Sequence, residues 1–155
     1  MSDTLDSSGL YAGVRAQIAD GRMCELFDYW DGRRGGKAMP SRIEVDPLDL
    51  PLQLPNLFLI DVEAAPRRYR YRLVGSALTE IVKEDLSGMY VDQMPALWRH
   101  YAEPPYDEAV ATGQPHYREV RIVRTLWRAR YLRLLLPLGE PQAPAETLLA
   151  CIYRL

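Results

Sequence analysis

Two histidines, His100 and His116, and two cysteines, Cys24 and Cys151, are the side chains of this sequence best suited to nucleophilic, acid–base or metal chemistry. Their spacing supports none of it. The cysteines lie far apart and match no metal or redox pattern. No Gly-x-Ser-x-Gly, no His-Glu-x-x-His and no phosphate-binding loop occurs. Ser41, Ser76 and Ser87 sit in turn or cap contexts, and Asp61 and Glu63 close a strand where they face solvent. The expectation is a protein that is not an enzyme, with no metal site.

Arginine is the other group with chemical reach. Nine of the 19 basic residues fall in three of the strand segments, so a basic sheet face has to be considered. Arg68, Arg70 and Arg72 share one face of "RYRYRLVG", while Arg118, Arg121, Arg124, Arg128, Arg130 and Arg133 crowd two later strands in which Glu119 is the one acid. Base stacking beside phosphate contacts needs aromatic and basic residues together. Strand alternation instead separates them, tyrosine inward and arginine outward. The favoured cover for this face is the acidic side of the leading helix, Asp20, Glu25, Asp28 and Asp31, in cis or across a dimer. An acidic protein partner comes next, and a nucleic acid or nucleotide last. The net charge of −2 adds no general attraction to nucleic acid or membrane.

The elements that must position these residues follow from periodicity and breakers. Residues 1–8 are polar and expected to fray. From Gly9 to about Arg33 the pattern is helical: Tyr11, Val14 and Ile18 repeat at helical spacing, then Met23, Leu26, Phe27 and Trp30 after Gly21. "GRRGG" ends the helix. Pro40, Pro47, Pro51 and Pro55 then make a stiff crossing, with one helical turn predicted near 47–50 behind an Asp46 cap. Strands are predicted over 56–63 and 68–75, joined as a hairpin. A helix over 76–88 is capped by Ser76 and stopped by Gly88. A stretch broken by Pro104 and Pro105 follows, then a helix over 106–115 with Gly113 as its cap. Strands over 116–124, 127–138 and 146–154 finish the chain. The order gives an α+β fold, a five-stranded antiparallel sheet with helices between strands two and three.

At 155 residues the chain is expected to be one domain. No apolar run approaches the roughly 20 residues of a bilayer span. The first residues show no basic-then-apolar leader. The expected location is the reducing cytoplasm.

Several stretches carry a family likeness: "LFDYWDGRRGGKAMPSR" (26–42), "DPLDLPLQLPNLFLIDVE" (46–63), "YRYRLVGSAL" (69–78), "DLSGMYVDQM" (85–94) and "RLLLPL" (133–138). In order and spacing they resemble PAS domains, in particular short bacterial PAS-like proteins with a leading helix. The resemblance implies a sensory or interaction domain over 37–155, preceded by a tail and helical extension over 1–36. At this length no attached kinase, cyclase or DNA-binding segment is expected. The proline crossing would link the leading helix to the sheet.

A PAS sheet curls around its helices and can leave a cavity. The expected lining is Leu59, Tyr69, Tyr71, Leu73 and Ile81, then Met89, Trp98, Val120, Ile122 and Leu134. These side chains either hold a small ligand or fill a dry core; Tyr69 and Tyr71 would supply polar groups. A flavin photosensor of this fold needs a cysteine in a helix beside the flavin, and neither Cys24 nor Cys151 is so placed. A haem sensor needs an axial ligand, for which His100 stands in the right region but beside the helix-breaking "AEPP". The expectation is no cofactor. The stripe Tyr11, Val14, Ile18, Met23, Leu26, Phe27 and Trp30 exceeds what one small sheet needs, and a homodimer or a protein partner would cover it. The function expected is a signalling module acting through such contacts, with a small ligand as modulator. A haem-type redox or gas sensor and a nucleic-acid or nucleotide binder are the alternatives.

Overall fold

The computed structural model describes residues 9–155, so the expectation for 1–8 lies outside the described residues. Asp20 starts the longer leading helix: its carboxylate accepts from the backbone N–H of Arg22 and Met23. Helix α1 (Ala12–Gln17) and helix α2 (Gly21–Arg33) are therefore separate, and the glycine marks the break. The face of α2 carrying Met23, Leu26, Phe27 and Trp30 is fully buried. The Trp30 indole donates to the Pro137 carbonyl at 2.9 Å, and its ring packs on Tyr11 and Phe27.

The proline crossing is built of three 3-10 turns, Arg42–Glu44, Pro47–Asp49 and Pro51–Asn56. Asp46 caps the middle one through the Leu48 amide, and proline at the first helical position needs no donor. Beyond it run β1 (Leu57–Glu63) and β2 (Arg68–Val74), then α3 (Ser76–Val82), α4 (Ala96–Thr112), β3 (His116–Val123), β4 (Arg128–Leu138) and β5 (Thr147–Arg154). The five strands are antiparallel in the order β2-β1-β5-β4-β3.

Three local expectations are corrected. Gly75, not Ser76, is the N-cap of α3, without a side-chain bond. That helix stops at Lys83, which takes the left-handed φ of 67°, five residues before Gly88. Gly88 and Met89 instead exchange backbone hydrogen bonds with Tyr71 and cover the outer edge of β2. Pro104 and Pro105 do not break α4, which runs unbroken to its Gly113 cap. A proline at 105 frees the carbonyl four residues back, that of Tyr101. Arg133 Nη1–H donates to that carbonyl at 2.9 Å, so the lost ladder bond is replaced from the sheet.

Side chains alternate across the sheet, and each face has its own cover. Tyr153 of β5 lies under the Arg22 guanidinium of α2, which places Cys151 and Leu149 on the same side with their register partners Leu57 and Leu59. Phe58, Tyr131, Arg133 and Ile152 face the other way, toward α3 and α4. The leading helices and the proline crossing thus form one layer, the sheet a second, α3 and α4 a third. The apolar stripe of α1 and α2 is spent within the chain: Tyr11, Ile18, Met23, Leu26, Phe27 and Trp30 are buried and Val14 is half-buried against the same core.

Candidate functional site

Between the inner sheet face and the α3–α4 layer lies a void of about 50 Å³. Tyr71, Ile81, Trp98, Val120 and Ile122 line it, as the sequence suggests, and so do Phe58, Tyr106, Tyr131 and Arg133, which sequence reasoning missed. For Arg133 a signal existed. Strict alternation puts it opposite Arg128 and Arg130, on the face of Ala129 and Tyr131. Leu134 belongs by the same count to the α2 side.

The other expected lining residues lie elsewhere for identifiable reasons. A register shift between Leu59 and Ile60 makes Arg72 an extra residue, and Leu73 then pairs with Leu59. Both border a surface groove beside the proline crossing instead. Met89 caps the edge of β2. Tyr69 is buried next to the void: its ring meets the edge of Tyr106 and its hydroxyl donates to Asp107.

The polar part of the void is compact. The Tyr71 and Tyr106 hydroxyls share a hydrogen bond of 2.9 Å. Burial raises both phenols above their ordinary pKa, Tyr71 well above it, so both remain neutral. Arg133 sits beside them, and burial, with repulsion from Arg118, pulls its guanidinium down from its ordinary value. Arg133, Tyr101 and Val120 also border an outer cleft of about 360 Å³ between α4 and β3, where His100, Glu108, His116 and Arg118 gather.

His116 is buried at the cleft, its Nε2 lying 3.0 Å from Glu108 Oε2. Burial and Arg133 push its pKa below the usual 6.5, while Glu108 opposes them. The unfolded chain therefore takes up this proton at higher pH than the folded one, and stability falls as pH drops through about 6.5. Glu44 and Glu119, held at about 2 by Lys37 and by Arg130 with Arg121, do not respond until pH drops below about 4.5. We expect the denaturation midpoint to fall between pH 7.5 and 5.5, and His116→Gln to flatten that fall.

The arginines do not form one basic face. Strands β2 and β3 stand at opposite edges of the sheet. Arg68 pairs with Asp92, Arg72 with Asp61, and Arg121 and Arg130 share Glu119, while Arg70 donates to the Gly88 carbonyl. Arg128 is exposed beside a surface hollow that Trp98 and Trp127 border. The acids of the leading helices serve their own segment: Asp28 with Arg15, Asp20 with Arg22, Asp31 with Arg34.

His100 is exposed on α4 against the Tyr101 ring and is not among the residues lining the void. Cys24 donates to the Ile18 carbonyl, and Cys151 is buried on the α2 side with its thiol pKa raised by burial. Among the described residues, no cluster of three or more histidines, cysteines or acids is placed to hold a metal. No helix among them is long and apolar enough to cross a membrane. Large apolar side chains are exposed on the crossing at Ile43, Leu48 and Leu52, and in the β3–β4 turn at Leu126.

Comparison with known proteins agrees with this architecture. The PAS domain of Bordetella pertussis BvgS aligns with a TM-score of 0.50 at 14% identity, over 71% of this chain and 88% of that one. A LOV protein of Rhodobacter sphaeroides aligns with a TM-score of 0.45 at 18% identity, over 64% of this chain and 58% of that one. This chain therefore spans about three fifths of the length of that LOV protein. No curated protein matches the sequence. A family model described as a PAS domain matches residues 20–152, taking in α2, the crossing, β1 to β4 and most of β5. The chain belongs to the PAS domain family.

Proposed function

We propose that this PAS domain is a non-enzymatic regulatory module of the cytoplasm, whose input is a small ligand in the void beneath α3 and α4. The supporting observation is the lining itself: aromatic and aliphatic walls with a few convergent polar groups, the usual make-up of a small-molecule site. Drug-sized ligands occupy roughly 300–1,000 Å³. A void of about 50 Å³ therefore limits the occupant to a small molecule. A flavin does not fit it, and neither thiol faces it. Occupancy would shift the population of α4 packings. Output would pass to a protein partner at the exposed leucines of the proline crossing, since the stripe of α1 and α2 is consumed by its own sheet. A dimer would use exposed apolar side chains such as these rather than the buried stripe.

Protein isolated from its own host and then unfolded, desalted and refolded tests the reading. A ligand at about 100 times its Kd adds about 2.7 kcal/mol. For a chain of this size that is roughly 5–11 °C in melting temperature. The refolded protein will melt lower than the isolated protein and recover when the desalting filtrate is returned. Identical melting before and after refolding would remove the ligand from the account.

A further inference from the structure

The polar side chains that act on one another in the void, Arg133, Tyr71 and Tyr106, are of one kind. Arg133 is 8 % exposed, yet no carboxylate among the described residues pairs with it. Its Nη1–H serves the Tyr101 carbonyl, and its Nε–H has no acceptor there. The ionisable groups acting on it include Tyr106, Tyr71 and Arg118, two neutral phenols and a second cation, and His116 also feels its charge. Glu108, the acid across the cleft, is engaged by His116. The two phenols hold two hydroxyl protons and share a single hydrogen bond, so one O–H remains a donor without an acceptor among the described residues.

A buried charge without a counter-ion is costly, and arginine does not relieve the cost by losing its proton. This part of the void is thus rich in donors, poor in acceptors, and carries one unmatched positive charge. Pro105 contributes by freeing the carbonyl that holds the guanidinium in place. The outer cleft is bordered by the same guanidinium.

We propose that Arg133 anchors a small organic carboxylate, its head group paired with the guanidinium and the free phenol, its short apolar remainder in the void. The proposal rests on the ligand-binding reading above and names the ligand's class. A carboxylate matches a single unpaired guanidinium in charge and in the planar, two-point geometry of its donors. The remainder must be short, because about 50 Å³ holds only about four water-sized groups.

The test uses the refolded full chain and the sodium salts of acetate, propionate and butyrate at constant ionic strength. The matched alcohols, sodium chloride and phosphate serve as controls. At least one carboxylate will raise the melting temperature by several degrees with saturation, and the alcohols, chloride and phosphate will not. Arg133→Lys will keep the charge but lose the planar fork, weakening binding by about tenfold. Arg133→Met will abolish the response. A purely structural role for Arg133 would lower the melting temperature of both variants and leave the carboxylate response intact, overturning the proposal. So would a rise shared equally by phosphate and chloride, or no rise with any carboxylate. If Arg133→Met does not fold, the comparison of carboxylates with alcohols and the Arg133→Lys titration still decide. A neutral ligand recovered from the isolated protein, with no carboxylate response, would sink this proposal and leave the sensory reading standing.

Discussion

Trp30→Ala will lower the stability of the domain by about 4 kcal/mol, the range found when a fully buried large aromatic is truncated. In a chain of this size that is roughly 8–16 °C of melting temperature. Two losses combine. The indole leaves a cavity between Tyr11, Phe27 and the sheet, and the Pro137 carbonyl loses its donor. Trp30→Phe separates them, keeping most of the packing and losing the N–H. Thermal or denaturant unfolding followed by tryptophan-independent circular dichroism measures both. A shift below about 2 °C for Trp30→Ala would mean that the leading helices are an accessory to the domain rather than part of its core.

Gly75→Ala will be the second severe change, at about 3 kcal/mol. Its backbone angles are ordinary for any residue, φ −71° and ψ 159°, so conformation is not the reason. Space is: a methyl group there would lie 2.3 Å from the Pro55 carbonyl oxygen and 2.4 Å from that of Leu54. Both obstacles are backbone held by the proline crossing and cannot swing aside. The junction of β2 and α3 is pressed onto the crossing, and the Gly75 N–H also donates to the Leu57 carbonyl at 2.8 Å. Gly32→Ala makes the contrast. Gly32 lies inside α2 with open space around it, and alanine there will raise stability by about 0.5–1 kcal/mol. Equal effects at the two glycines would contradict the packing described.

These two sites show what the sequence revealed and what it concealed. The strand periodicity of "RYRY" and the helical spacing from Met23 to Trp30 define elements through their own pattern, and both elements formed as expected, the alternation failing at Leu73. Element order followed, and with it the sheet. What was hidden depends on contacts distant in sequence. Pro104 and Pro105 read as a helix break because the donor that replaces the ladder bond missing at Pro105 comes from Arg133, far along the chain. The register shift at Leu59 moved Leu73 out of the void, and no local pattern announces a bulge. The basic face dissolved once strand order set β2 and β3 at opposite edges. The stripe that suggested a dimer is covered because the sheet's second face was free to receive it.

Half of the expected void lining stayed in place, and the chemically decisive residue was counted among the solvent-facing arginines. The sequence places Arg133 in a run dense with arginine, and density is a weaker guide to orientation than parity along a strand. A buried guanidinium beside two neutral phenols is the feature on which the proposed ligand rests.

Native mass spectrometry of protein isolated from its own host, repeated under denaturing conditions, tests the central claim most directly. A ligand seated in the void gives a mass excess on the folded chain that disappears on denaturation, and the excess should equal that of a small organic acid. A folded chain at its bare sequence mass in every preparation, with the same melting temperature before and after refolding, would contradict a ligand-sensing role and leave a PAS domain that reads only proteins.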